Sequence, residues 1–443
     1  MMGMMARVRP RFAGFAGFAG LALLAAAPAG ALEIQGLRSP AGAVFWLVEE
    51  PSIPIVALEI SFAGGARLDP EGRGGLANMM AGLIDEGAGE LDAVGFAKAR
   101  DQVSARFGFS AGSDSMEISA RMLVETLEPS VALLATALAS PRFDPEPVGR
   151  IRAQLLSIIA ESGTEPDKVA AEAWYAGAFP DHPYGRPRRG TAESVAAITR
   201  DDLVAAQARL LTRANARIAV VGAIDAERAG RMVDTLLAGL EQGAVLVRER
   251  TGDTPPPGLR VIELAVPQSA AVFGHAGLAR EDPDFIAAYV MNYVLGGGGF
   301  ASRLMVEVRE KRGLAYSVYS YLSARDEAAL YLGGVQSANE RMAESLEVIR
   351  AEWAKMATGG ITAGELDRAK RYLTGAFALR FDSNAKIASY LVFIQRENLG
   401  IDYLERRNGL IEAVTLADVK RVAARLLQPE SLSIVVVGEP EGL

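Results

Sequence analysis

Residues 74–87 read GGLANMMAGLIDEG. Leu76, Met79, Met80, Leu83 and Ile84 fall at i, i+3, i+4, i+7 and i+8, one buried stripe of a helix, and Asn78 and Gly82 share a different face. Two ligands at that i, i+4 spacing, with a glutamate between them, would hold zinc and activate a water. Nothing on this face can do so.

Other stretches invite chemical readings. Gly108-Phe109-Ser110-Ala111-Gly112 matches G-x-S-x-G, the nucleophile elbow of serine hydrolases, which requires a strand, a sharp turn and then a helix. The residues after Ser110 alternate like a strand instead, so a hairpin is expected. Leu295 is followed by Gly296, Gly297, Gly298, Gly299 and Phe300. The run lacks the Lys-Ser/Thr of a phosphate loop and the spaced glycines of a dinucleotide fold. Four glycines let another backbone approach closely, and they suit a mobile lip over an elongated substrate.

The chain has two histidines, His182 in DHPYG and His275 in FGHAGL, and neither has an i+3 or i+4 partner to complete a zinc site. They are read as a loop and a strand histidine. In 301–322, ASRLMVEVREKRGLAYSVYSYL, a helical pattern meets Gly313 as its stop, after which Leu314, Tyr316 and Val318 alternate as a strand. Arg309 lies in the last helical turn and Tyr316 near the strand's start, so the reversal can bring guanidinium and phenol together. A structural account serves equally well: arginine suits a helix C-terminus and tyrosine suits a sheet.

The elements that position these residues follow from the rest of the chain. Its 443 residues, 50% hydrophobic, exceed one ordinary core, so two domains are expected. Arg7, Arg9 and Arg11 precede a short apolar run and Ala29-Gly30-Ala31, the pattern of a secretory signal peptide over 1–31. With no cysteine, disulfides, thiolate metal sites, a thiol nucleophile and a lipoprotein anchor are excluded. Export without disulfides fits the periplasm. Loss of the three leader arginines takes the formal charge from −8 to −11, which argues against a nucleic-acid partner.

The strongest internal signal is a repeat. Residues 198–222, ITRDDLVAAQARLLTRANARIAVVG, align without gaps to 414–438, VTLADVKRVAARLLQPESLSIVVVG. Each copy reads as helix, loop, buried strand and glycine turn, so two similar domains are expected. They are placed at 32–241 and 258–443, with Thr-Pro-Pro-Pro-Gly in a linker over 242–257. Residues 103–122 read as a hairpin around Gly-Ser-Asp, and the class is α+β with helices packed on mainly antiparallel sheets.

Taken in order, these signals resemble the M16 (pitrilysin-like) metallopeptidases, particularly the bacterial relatives of mitochondrial processing peptidase. The family has a G-L-A-H-x-x-E-H helix, a later glutamate ligand, an H-P-Y-G-x-P-x-x-G-T loop, and G-G-G-x-S-S-R-L-x-x-x-x-R-E-x-x-G-L-A-Y in its second domain. This chain has Gly75-Leu76-Ala77, then His182 through Thr191, then Gly296 through Tyr316 in the same order. The resemblance implies a clamshell of two homologous domains. It also shows a departure: the histidine positions hold Asn78 and Gly82, the catalytic glutamate is Ala81, and the distal ligand falls at about Ile158. Glycine, alanine and isoleucine offer no donor atom and asparagine is a poor zinc ligand. No metal or other cofactor is expected on this chain.

Arg309 and Tyr316 match the family's Arg/Tyr pair, whose phenol helps to stabilise the tetrahedral oxyanion while the arginine holds the substrate main chain. Some bacterial members divide the work between a zinc-bearing chain and one that keeps only the pair. The expectation is therefore a periplasmic non-zinc subunit of a heteromeric peptidase. The partner, a heterodimer or heterotetramer mate with an intact H-x-x-E-H motif, would carry zinc and base; Arg309, Tyr316 and the Gly296–Gly299 lip would meet an unfolded peptide. No membrane span is expected after leader removal. A stand-alone peptide-binding or assembly protein is the second reading, and a hydrolase built on Ser110 the third.

Overall fold

The computed structural model describes residues 32–252 and 255–443. The expected leader lies outside the described residues, as do positions 253 and 254 of the expected linker. Ile34–Leu443 form one compact unit. It contains two sheets whose architecture follows the internal repeat.

The first sheet is built from β1 (Gln35–Arg38), β2 (Val44–Glu49), β3 (Ile55–Ala63), β4 (Arg106–Ala111), β5 (Ser115–Leu123) and β6 (Ala216–Gly222), in the order β1-β2-β6-β3-β5-β4. The second is built from β7 (Gly258–Glu263), β8 (Gln268–Ala276), β9 (Ala315–Ala324), β10 (Ala329–Ala338) and β11 (Ser433–Gly438), in the order β7-β11-β8-β10-β9. Without β1 the two orders are the same. Among the described residues the one parallel pair in each joins the first strand of that order to the last strand of its half, β2 with β6 and β7 with β11. The class is α+β, as the sequence predicts.

The repeated segment explains the similarity locally. Helices Arg200–Leu210 and Leu416–Leu426 each open with a reciprocal cap, Thr199 with Asp202 and Thr415 with Asp418. Such a cap satisfies two N–H groups that the first helical turn leaves without partners. Each helix leads to an apolar strand, β6 or β11, that ends at a glycine with φ near +145°, Gly222 or Gly438. A side chain there would be strained.

Each sheet buries one face under helices of its own half. The opposite face receives a helix from the other half. Helix Pro166–Ala178 lies on the second sheet, with Trp174 and Phe179 packed among Leu330, Leu332 and Val435 and the Trp174 indole N–H donating to the Ser433 carbonyl at 3.0 Å. Helix Asn384–Arg396 lies on β3 and β6, and Gln395 donates to the Ile218 carbonyl at 3.0 Å. This exchange leaves β4 and β9 as corresponding sheet edges. Among the described residues no helix is long and apolar enough to cross a membrane.

Candidate functional site

Helix Phe285–Asn292 continues into a π-helical turn, Tyr293–Gly297, and a short 3-10 turn, Gly299–Ala301, before a second π-helical turn, Met305–Glu310. Gly313, at φ 62°, ends this helical run: its N–H donates to the Arg309 carbonyl at 2.8 Å, and that of Leu314 to the Val308 carbonyl at 2.9 Å. The chain then turns directly into β9. Arg303 fastens the segment to helix Ala363–Gly375 with two 2.8 Å bonds to Glu365 and a third to the Gly360 carbonyl. Paired guanidinium donors of this kind fix orientation as well as distance.

The reversal brings Arg309 and Tyr316 together. The Arg309 guanidinium carbon lies 5.1 Å from the Tyr316 ring centre and 4.8 Å from that of Phe300. Two rings thus hold the cation, each contact worth about 0.5–1 kcal/mol at an exposed position. Among the described residues Arg309 has no carboxylate or side-chain hydrogen-bond partner, so its N–H fork is free for a ligand. Phe300 escaped the sequence reading. Its one signal was its place at the end of the glycine run.

Simple alternation of Leu314, Tyr316 and Val318 is corrected by the strand register. Ser317 faces Gln336 and Ala315 faces Ser337, which leaves Tyr316 as the extra residue of a β-bulge. Leu314 and Val318 are buried, as alternation requires, but Tyr316 is 76% exposed. A bulge re-aims a side chain in this way. Tyr316 leaves the core face and joins the exposed side of the edge strand, where Tyr319 and Tyr321 stack with ring centres 6.1 Å apart.

The glycine run is also corrected. Gly296 is not part of an open lip; it is buried, and a Cβ there would lie 2.3 Å from Ser320 Oγ and 2.6 Å from the Ser320 backbone nitrogen. Gly297 and Gly298 would likewise press on Asn292 and Tyr293, and only Gly299, at φ 57°, faces open space. The expected close approach of another backbone is therefore met, by β9 of the same chain.

At the degenerate zinc positions the structure offers one neutral amide. Asn78, on helix Leu76–Ala81, donates to the Arg188 carbonyl at 2.8 Å, in the loop that runs from His182 to Thr191. Ala81 is buried; Gly82 ends the helix, and a Cβ on it would lie 3.3 Å from Ile151 of helix Pro145–Ser162. Ile158 sits about two turns further along that helix. Among the described residues no group of three His, Cys, Asp or Glu is arranged to hold a metal. The donor set itself does not suit zinc.

Ser110 lies inside β4, paired antiparallel with β5, with no strand-to-helix elbow around it. His275 lies in β8, where its Nδ1–H donates to the Ala276 carbonyl and its Nε2 accepts from Trp353. His182 does more than sit in a loop. Its Nδ1 accepts from the Tyr184 N–H at 3.1 Å, so Nε2 carries the proton and donates to Glu327 at 3.0 Å. Glu327 also pairs with Arg67 at 2.5 Å, while Tyr184 donates to Asp114 at 2.6 Å and accepts from the Glu327 N–H. Burial, then the Asp114 carboxylate, pushes the Tyr184 phenol well above its usual range. This clasp joins the two halves through the turn between β9 and β10. Residues 260 positions apart in sequence, Arg67 and Glu327, left no local signal of their pairing.

Residues 44–192 match the family model described as Insulinase (Peptidase family M16), and residues 197–373 match Peptidase M16 inactive domain. A crystal structure of a peptidase M16 inactive domain from Pseudomonas fluorescens is 30% identical and superposes with a TM-score of 0.87 over 92% of this chain and 98% of that one. The chain belongs to the M16 peptidase family. It is 27% identical to a protein named non-peptidase homolog YmxG from Helicobacter pylori, over 77% of this chain and 79% of the relative. It is 28% identical to an uncharacterized zinc protease of Mycobacterium tuberculosis, over 91% and 92% of the two chains. This M16 homologue has Asn78, Ala81, Gly82 and Ile158 at the positions of the zinc donors and base.

Proposed function

We propose that this chain is the non-zinc subunit of a periplasmic, heteromeric M16-type peptidase. The partner chain supplies zinc and the general base; this chain supplies Arg309, Tyr316, Phe300 and one wall of a chamber for unfolded peptides. The observation that carries the reading is Arg309 held between two exposed rings with no anionic partner, beside a tyrosine that a bulge turns out of the core. A cation and a phenol left free at an exposed edge suit a polar ligand. A phenol aimed at developing negative charge is the kind of donor that speeds acyl transfer. The Gly296–Gly299 segment acts by holding Phe300 and Arg309 against β9, with Gly299 alone near substrate.

The test is a steady-state assay of the complex reconstituted with a zinc-motif partner, with association followed by sizing. Tyr316→Phe keeps the ring against Arg309 and removes one hydroxyl, so assembly persists while kcat falls roughly ten- to a thousandfold. Arg309→Ala weakens substrate binding as well. Normal assembly and wild-type turnover in Tyr316→Phe would leave the pair with a structural role only, and the chain would then be a stand-alone peptide binder or assembly protein.

A further inference from the structure

Beside the loop that receives Asn78 lies a narrow cavity lined by Arg67, Asp69, Ser113, Tyr184, Arg186 and Arg188. At about 20 Å³ it has room for roughly one water or one carboxylate oxygen. Three of its ten lining residues are arginines, and Asp69 is the one carboxylate among them.

Arg67 is the buried one, with 7% of its side chain exposed. Its Nη1 is taken by Glu327, and its Nε lies 3.5 Å from Asp114 without a hydrogen bond. Among the described residues Nη2 has no hydrogen-bond partner. Leaving such a donor unpaired in a buried place is costly, and a charged acceptor satisfies it best. Unlike Arg67, Arg186 and Arg188 have no carboxylate partner among the described residues; Arg186 reaches the Asp69 backbone carbonyl, while the Asp69 carboxylate is taken up by the Gly75 and Ala77 N–H groups. Partial desolvation, then the Arg189 and Arg325 guanidiniums, disfavours the Arg188 cation. Ser113 Oγ, accepting from Arg325 at 3.1 Å, keeps its own proton to donate.

We propose that this cavity binds a carboxylate, the C-terminal carboxylate of an extended peptide, through Arg67 Nη2, Arg188 and Ser113. The site rests on the reading that the chain binds peptides. It lies beside the loop that Asn78 bonds, next to the degenerate zinc position, so peptide ends are retained there without being cut.

The experiment is calorimetric titration of the full chain with one unstructured peptide, N-acetyl-Gly-Ala-Gly-Ala-Gly-Ala, as the free acid and as the C-terminal amide. The free acid binds at least about tenfold more tightly, the loss expected for one charge-assisted contact. Sodium acetate competes with it. Arg67→Lys keeps an ammonium for Glu327 but removes Nε and Nη2, and Arg188→Gln changes an exposed side chain while keeping the carbonyl that Asn78 uses. In each variant the free acid falls to the affinity of the amide, and melting curves show the fold retained. Equal affinity of acid and amide for the wild-type chain overturns the site, as does a preference that survives Arg188→Gln. Acetate binding without preference for the peptide acid means the cavity takes free carboxylates only, which also overturns it. Should neither peptide bind, peptide binding itself fails; should both bind equally while Tyr316→Phe still slows the complex, only the carboxylate site falls.

Discussion

Gly296→Ala tests whether the glycine run is packed or loose. The new methyl would lie 2.3 Å from Ser320 Oγ, 2.6 Å from Ser320 N and 2.9 Å from Leu304 Cδ1. Ser320 cannot simply rotate away, because its hydroxyl donates to Asn292 at 2.8 Å in the core. Overpacking a filled site costs about 1–3 kcal/mol. Loss of the buried hydrogen bond adds about 1 kcal/mol. Alanine's better helix propensity returns at most about 1 kcal/mol. The net is a destabilisation of about 1–3 kcal/mol, or a Tm lower by roughly 1–4 °C for a compact unit as long as Ile34–Leu443. Thermal melts at fixed protein concentration read it directly. Gly296→Ala/Ser320→Ala regains part of the loss, since it removes the hydroxyl but not the backbone clash. A Tm indistinguishable from wild type would refute the packing argument and restore a free lip at Gly296.

Metal analysis of tag-free protein is expected to find well under one zinc per chain, and a chelator should leave the Tm unchanged. A stoichiometric, chelator-removable zinc would contradict the donor count at Asn78, Ala81, Gly82 and Ile158. His275 titrates below its usual 6.5 because burial disfavours the imidazolium. The unfolded chain thus binds the extra proton first, and stability falls as pH drops below about 6.5. Melts of wild type and His275→Gln across pH 5–8 should show that slope flattened in the variant; identical slopes would count against it. Although desolvation opposes it, bonding from Arg303 and Thr362 holds Glu365 at about 2. Its contribution is present above about pH 4.5 and lost as pH falls towards 2. Glu365→Gln should be less stable at pH 7 and show a shallower acid loss between those values, and an unchanged Tm at pH 7 would show that the Arg303 pair does not hold the segment.

Much of this protein is decided by local sequence. The repeat of 198–222 at 414–438 determined two sheets with one strand order, because each copy carries its own caps, apolar strand and stopping glycine. The zinc chemistry was closed off by side-chain identity at four positions, which no packing can alter. Tertiary structure decided the rest. Periodicity gave Tyr316 the same side as Val318, and only the register with β10 shows the bulge that reverses it. Phe300 reaches Arg309 because the buried Gly296 lets the preceding turn lie on β9. The exchanged helices, the Arg67–Glu327 clasp and the arginine-lined cavity join residues more than a hundred positions apart. Helical and strand periods act over a few residues, whereas these contacts are fixed by closure of the whole chain, so no spacing in the sequence records them.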